Sequence, residues 1–275
     1  MKSVLITGCS SGIGYACAKA LHANPAYAVF ATSRKEEDVT RLRHEGLNAF
    51  RLDLCDTSSM YEALSWMCSQ TDGRIDVLFN NGAYGQPGAV EDLSRAVLQE
   101  QFETNVFGTQ ELTNLVIPYM RAQKSGRIVY NSSILGFVAM SYRGAYNASK
   151  FAIEGLADTL RLELHGSGIE VVLIEPGPIR SAFRKNALAK FNEHIVQKES
   201  FHKEIYAKTL SRLQKSADAP FTLGAQAVLD VLLNAMEAKK PNSRYAVTFP
   251  TKLFSVLKRL FPTVLMDIIA RKAGD

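Results

Sequence analysis

"LITGCSSGIGYA", residues 5–16, decides how the rest of the chain is read. A strand-like apolar run, "SVLITG" (3–8), ends in glycine, and a helical pattern starts at about Gly12 and continues to His22. Glycines stand at 8, 12 and 14 across that junction. Lacking a Cβ, they let the backbone turn tightly and approach a ligand closely. The helix start then offers unpaired N–H groups and the positive end of its dipole. Such a loop at the first strand-to-helix junction is a cradle for a pyrophosphate. A glycine triplet alone is a weak signal, since structural turns use glycine too. Its position gives it weight.

Working outward, short apolar runs alternate with longer amphipathic ones. "YAVFATS" (27–33), "NAFRLDL" (48–54), "IDVLFNN" (75–81), "GRIVYNSS" (126–133) and "IEVVLIEPG" (169–177) read as strands. Helical patterns cover about 95–123 and 144–165. Strands that are apolar on both faces, alternating with helices, predict an α/β fold with a doubly wound parallel sheet of the Rossmann type. From 179 to about 220 no strand is predicted. Phe183, Leu188, Phe191, Ile195, Phe201 and Ile205 are scattered there among bases, as in short helices laid over the sheet edge. A helix over about 223–238, a last strand over 243–249 and an amphipathic tail over 252–272, interrupted by Pro262, complete one domain. It divides into a core (1–179), a lid (180–220) and a closing helix, strand and tail (221–275).

The second informative stretch is "GAYNASK", 144–150. Helical spacing puts Tyr146 and Lys150 on one face, where a phenol and an ammonium can meet one ligand. On that spacing alone an ordinary helix surface is the simpler account, and the remaining motifs decide between the two.

Composition sets the bounds. The 275 residues are 47% hydrophobic and 21% charged, ordinary for a globular chain. No apolar run is long enough to span a bilayer. "MKSVLITG" enters a strand too soon for a secretory signal. Cys9, Cys17, Cys55 and Cys68 form no C-x-x-C pair and read as free thiols of a reducing, cytoplasmic compartment. The five histidines lack metal-ligand spacing, so no metal is expected. The net charge of +5 is uneven: nine Lys/Arg face three Glu between Arg180 and Lys215, and five face two Asp after residue 250. A solvated basic face accounts for this, as does contact with an anionic ligand or membrane surface. Nucleic-acid motifs are absent.

The spacing Gly-x-x-x-Gly-x-Gly in "TGCSSGIG" (7–14) resembles the cofactor loop of the classical short-chain dehydrogenase/reductase family. "NNGA" (80–83) is similar to its Asn-Asn-Ala-Gly, with the last two residues exchanged. Asn105 in "FETNVFG", Ser133 in "NSSILG", and Tyr146 and Lys150 in "YNASK" fall where the family keeps its catalytic Asn, Ser, Tyr and Lys. "EPGPIRS" (175–181) resembles the segment beside nicotinamide. The resemblance covers about 3–181. It implies cofactor contacts from Gly8, Ser10, Ser11, Gly12, Ile13, Gly14, Asp53, Leu54, Asn81, Gly82, Tyr146, Lys150, Pro176, Gly177, Ile179 and Ser181, with Asp53 on the adenine amino group.

An acid closing the second strand would accept from a ribose 2′-hydroxyl. Here Ser33 stands there and Arg34 follows, with Lys35 next, which points to the 2′-phosphate of NADP(H). In the catalytic reading Lys150 lowers the Tyr146 pKa. Tyr146 passes a proton to a carbonyl oxygen or takes one from an alcohol. Ser133 hydrogen-bonds the same oxygen. The resemblance gives Asn105 a water that relays protons through the ribose and Lys150.

The expected activity is NADP(H)-dependent interconversion of aldehydes or ketones with alcohols. The alternative is a non-catalytic NADP(H)-binding sensor or scaffold on the same fold. "PFTLGAQAV" (220–228) and the region around 167–183 resemble a bacterial branch related to hydroxysteroid and retinol dehydrogenases, which implies a small lipophilic substrate. The family's matching helices imply a homodimer or homotetramer through 95–123 and 144–165. In the tail, Leu253, Phe254, Leu257, Leu260 and Phe261 recur at helical spacing beside Lys252, Lys258 and Arg259. That stripe either docks on its own protein, as such helices do in globular chains, or lies as a peripheral contact in a membrane interface.

Overall fold

The computed structural model describes residues 1–214 and 218–274. Residues 215–217 of the expected lid, with Lys215 of its basic run, and Asp275 lie outside the described residues. Seven strands form one parallel sheet in the order β3-β2-β1-β4-β5-β6-β7. They are β1 (Lys2–Ile6), β2 (Tyr27–Ser33), β3 (Ala49–Arg51), β4 (Val77–Asn80), β5 (Gly126–Asn131), β6 (Ile169–Glu175) and β7 (Arg244–Ala246). The chain winds outward one way from β1 to β3 and the other way from β4 to β7. The reversal between β1 and β4 opens a crevice at the carboxyl ends of the strands, where α/β sheets bind ligands.

Strand alternation divides the core between two faces. Val4 and Ile6 of β1 join α1 (Gly12–His22), α2 (Glu36–His44) and α9 (Gln226–Glu237) on one side. Leu5 joins α3 (Thr57–Thr71), α5 (Thr109–Ala122) and α6 (Gly144–Glu163) on the other. Both environments exclude water, so Val4, Leu5 and Ile6 follow one another without a polar residue between them.

The structure differs from the sequence reading in several places. The α2 and α3 helices were not anticipated. The first is charged over most of its length and buries only Val39 and Leu42. The second is capped by Asp56, whose side chain accepts from the Ser59 N–H. The helix expected over 95–123 is three pieces: α4 (Arg95–Phe102), a π-helical turn (Glu103–Gly108) and α5. The segment expected as a lid holds two helices of three turns each, α7 (Phe183–His194) and α8 (Lys203–Gln214). The last strand is shorter than expected, because Phe249 already starts α10 (Phe249–Leu260). Pro262 ends that helix, and α11 (Thr263–Gly274) follows. Among the described residues no helix is long and apolar enough to cross a membrane, and no cluster of His, Cys, Asp and Glu could hold a metal ion.

Candidate active site

The glycine loop closes on the crevice through backbone contacts. Gly8 and Gly12 adopt φ values of +72° and +61°, which favour glycine. A Cβ on Gly14 would lie 2.4 Å from the Gly8 oxygen and 2.5 Å from Asn81 Nδ2. Asn81 Nδ2 donates to the Thr7 oxygen at 2.9 Å, and the Thr7 hydroxyl accepts from the N–H groups of Asn81 and Gly82 at 2.9 and 2.8 Å. Thr7 thereby clamps the turn after β4 onto the turn after β1. The Gly82–Ala83 order does not disturb this clamp. Gly82 faces Leu54 Cδ1, which brings the end of β3 alongside.

The segment 175–181 reaches the same place. A Cβ on Gly12 would stand 3.0 Å from Ser181 Cβ, and one on Gly177 would collide with the Thr248 hydroxyl oxygen. The Pro176 oxygen accepts from the Ile134 N–H at 2.8 Å, and Ile179 forms a lone β-bridge with Leu223. Ser11 caps α1 through extended backbone and makes no side-chain cap bond, while Ile13 packs inward on the core. Asp53 Oδ1 accepts from the Cys55 N–H.

At the end of β2, Ser33 Oγ is buried with no hydrogen-bond partner among the described residues, and Arg34 beside it is exposed. One base was missed in the sequence. Arg41 of α2 donates to the Ser10 oxygen at 2.6 Å and lies 5.3 Å from the Tyr15 ring centroid. Only recognition of α2, which returns alongside the glycine loop, could have revealed it. A glycine cradle that no side chain could replace, an orphaned hydroxyl and two nearby guanidinium groups fit a nicotinamide dinucleotide. Gly8, Gly12, Gly14, Asn81 and Ser181 would hold it.

The four catalytic candidates come from three elements, with Tyr146 and Lys150 both on α6. Ser133 caps a short 3-10 turn (Ile134–Gly136) after β5, its hydroxyl accepting from the Leu135 N–H at 3.1 Å. The same hydroxyl lies close enough to Tyr146 to favour its phenolate, so the two side chains face one region. Lys150, one turn further along α6, is buried; its Nζ lies 5.8 Å from the Tyr146 ring centroid and donates to the Asn131 oxygen at 2.6 Å. Asn105 sits in the π turn. Its Oδ1 accepts from the Tyr84 N–H at 3.1 Å, and its Nδ2 donates to the Tyr84 oxygen at 2.9 Å and to Ser149 Oγ at 3.1 Å. The Asn105 side chain thus fastens the loop after β4 to α6 beside Lys150. π turns recur at functional sites because they re-aim one residue out of a helix.

The expected lowering of the Tyr146 pKa is corrected by the structure. Burial pushes the phenol up to about 12, opposed by the Ser133 hydroxyl. Burial also pushes Lys150 down to about 8, opposed by the Glu154 carboxylate one turn on. A phenol held neutral is the state a proton donor requires. Glu154 belongs to a partly buried charge cluster that sequence spacing did not reveal, since Arg244 and Glu175 lie on strands distant in the chain. Arg244 of β7 donates to Glu154 at 3.1 Å and lies 2.6 Å from Asp158 and 3.2 Å from Glu175. Burial, then the neighbouring Glu154, pushes Glu175 up to about 7.

The walls around Tyr146 are apolar. Ile134, Leu135, Val138 and Phe254 form a buried cluster, with Tyr146, Met266 and Ile269 packed against it. Across from them Phe183, the first residue of α7, lies edge-on to Tyr146 with ring centroids 5.2 Å apart, and it rests on Gly85, where a Cβ would meet its ring at 2.5 Å. α8 is pinned by Tyr206, which accepts from the Ala89 N–H at 2.9 Å and hydrogen-bonds Asp92. A cleft of about 420 Å³ opens beside it, lined by Ala89, Val90, Glu91, Ser141, Tyr142 and His202; none of the four catalytic candidates is in its walls.

With this geometry in place, comparison with known proteins is informative. The family model for the short chain dehydrogenase matches residues 2–192. The chain is 40% identical over 268 residues to the uncharacterized oxidoreductase YbbO of Escherichia coli K12, covering 98% of this chain and 93% of that one. It is 32% identical over 272 residues to human 17-beta-hydroxysteroid dehydrogenase type 1, covering 94% and 80%. A short chain dehydrogenase/reductase from Burkholderia phymatum, solved in complex with NAD, superposes with a TM-score of 0.77 at 23% identity, over 93% and 91% of the two chains, and supports the fold. The glycine cradle, the Ser133–Tyr146–Lys150 arrangement and these matches agree: the chain belongs to the classical short-chain dehydrogenase/reductase family of nicotinamide-dependent oxidoreductases.

Proposed function

We propose that the protein is an NADP(H)-dependent oxidoreductase that interconverts a lipophilic aldehyde or ketone with its alcohol. The observation that carries this reading is the placement of Tyr146 against the apolar cluster beside Ser133, with the buried Lys150 Nζ 5.8 Å from its ring centroid. When bound, NADPH supplies the hydride. Ser133 holds the substrate oxygen by a hydrogen bond and polarises it. Tyr146, neutral in its buried setting, gives that oxygen a proton on reduction and recovers one on oxidation. Lys150 places a positive charge beside the phenolate left behind. Asn105 and the water it is expected to hold return the proton from solvent.

Preference for the 2′-phosphate rests on Ser33 in place of an acid, with Arg34 beside it, and Arg41 adds a second guanidinium next to Ser10. A lipophilic substrate is supported by the apolar walls contributed by Leu135, Val138, Phe183 and Phe254. Self-association is part of the proposal. Phe107 beside α5, and Phe151 and Leu162 on α6, leave 55%, 40% and 69% of their surface exposed, which suits a homodimer face.

The test is a screen of aliphatic aldehydes, retinal and ketosteroids with NADPH and NADH. Turnover with NADPH on at least one class is expected. Tight cofactor binding with no turnover on any class would instead favour a sensor.

A further inference from the structure

The tail has two apolar faces, and only one is used inside the fold. In α10, Phe254 is buried against Ile134, Leu135 and Val138, and Thr251 is buried beside it. On another side of the same helix stand Phe249, Leu253, Val256 and Leu260, at spacings of four, three and four residues. That spacing is a single stripe along a helix. These four side chains are 59%, 42%, 52% and 70% exposed. The pattern repeats in α11: Met266 and Ile269 pack near Tyr146, whereas Val264, Leu265 and Ile268 face solvent.

A second observation lies outside the tail. Phe221 holds a φ of +61°, a region bulky residues rarely adopt. Its ring is exposed and lies 5.3 Å from that of Phe249. The chain therefore keeps a strained aromatic at the surface, at the head of the stripe.

Charge selects the occupant. Helical spacing puts Lys252 and Arg259 along one border of the α10 stripe, and Arg271 and Lys272 lie in the last turn of α11. Asp267 is the one acid between residues 249 and 274. A second copy seated face to face would set like charges against one another. An anionic headgroup layer above a hydrocarbon interior matches both the bases and the stripe.

We propose that the outward faces of α10 and α11, with Phe221, form a docking surface for an anionic phospholipid bilayer, lying in its interface. Self-docking and membrane contact, alternatives in the sequence, are then opposite faces of the same helices. The inner face walls the Tyr146 site while the outer one rests on lipid. Substrate taken from the bilayer would deepen the proposed lipophilic specificity; the docking itself does not depend on that reading.

The experiment is sedimentation of the full chain with vesicles of phosphatidylcholine alone or mixed with phosphatidylglycerol, with no substrate or cofactor added. The wild type should sediment with the anionic vesicles and do so less at high salt. The triple variant Leu253→Ser/Val256→Ser/Leu260→Ser changes exposed side chains only and should lose about tenfold or more of the binding. Lys252→Glu/Arg259→Glu should lose the preference for anionic vesicles. Thermal melts of both variants check that they are folded. A wild type that does not sediment, or a triple variant that binds as well as the wild type, overturns the proposal. So does a lipid-free oligomer that the triple variant dissociates, since a second copy is then the occupant. Activity is not read, so a wrong substrate assignment cannot mimic failure here.

Discussion

Lys150 gives the hydrogen bond of its ammonium to the main-chain oxygen of Asn131 at 2.6 Å. Asn131 in turn donates through its side chain to Asn81 Oδ1 at 2.9 Å. Lys150 is thereby tied through the end of β5 to the turn that packs on the glycine loop, so the candidate cofactor cradle and the proposed acid–base groups share one scaffold. Positioned groups of this kind supply orientation that a loose surface pair could not.

The charge of Lys150 sets a pH limit. Burial holds its pKa at about 8, and the Glu154 carboxylate raises it. The cation is present below that value and is lost as pH rises through it, so activity should fall on the alkaline side. Glu154→Gln removes the anion that favours the cation, and the alkaline limb should move to lower pH. A pH–rate profile of kcat checks this; an unmoved limb, with the variant folded, separates Glu154 from the lysine's titration.

Cofactor preference tests the end of β2. Arg34→Asp removes a phosphate partner and adds a repulsive charge. The NADPH/NADH preference ratio should fall by about 10–100-fold, the range expected for losing a charged hydrogen bond. An unchanged ratio removes Arg34 from the phosphate site and leaves Arg41 as the candidate.

The close approach at Gly14 gives a structural prediction. In Gly14→Ala the new methyl meets the Gly8 oxygen and Asn81 Nδ2 inside contact distance. The variant should lose about 1–3 kcal/mol of stability, as overpacked sites do. Its affinity for either dinucleotide should also drop, because the loop must shift. Melting curves and cofactor titration read both effects, and a variant matching the wild type in each would show that the loop does not need this approach.

The proposed assembly rests on the exposed side chains of Phe107, Phe151 and Leu162. A homodimer or homotetramer is expected in solution, and sedimentation at micromolar concentration measures it. A fully active monomer contradicts the proposal.

Much of this was legible in the sequence because the residues concerned have few alternatives. Gly8, Gly12 and Gly14 are required by positive φ or by close backbone approach, and Tyr146 and Lys150 are related by one helical turn. The rest depends on partners distant in the chain. Glu154, on a helix, acquires its meaning from Arg244 and Glu175 on two strands. Arg41 lies in a helix whose charged sequence hides its two buried residues. The π turn is not visible in the pattern at all, since 95–123 is evenly amphipathic. The tail's period was readable, but not the division of its apolar residues between an inner and an outer face.

The most direct measurement is the rate of NADPH oxidation in a single turnover by the wild type and by Tyr146→Phe, with the substrate that the screen selects. The substitution keeps the ring against Phe183 and removes the hydroxyl. The account predicts near-normal NADPH binding and a rate lowered by about 10²–10⁴. A Tyr146→Phe protein that turns over as fast as the wild type, with hydride transfer rate-limiting, would contradict it.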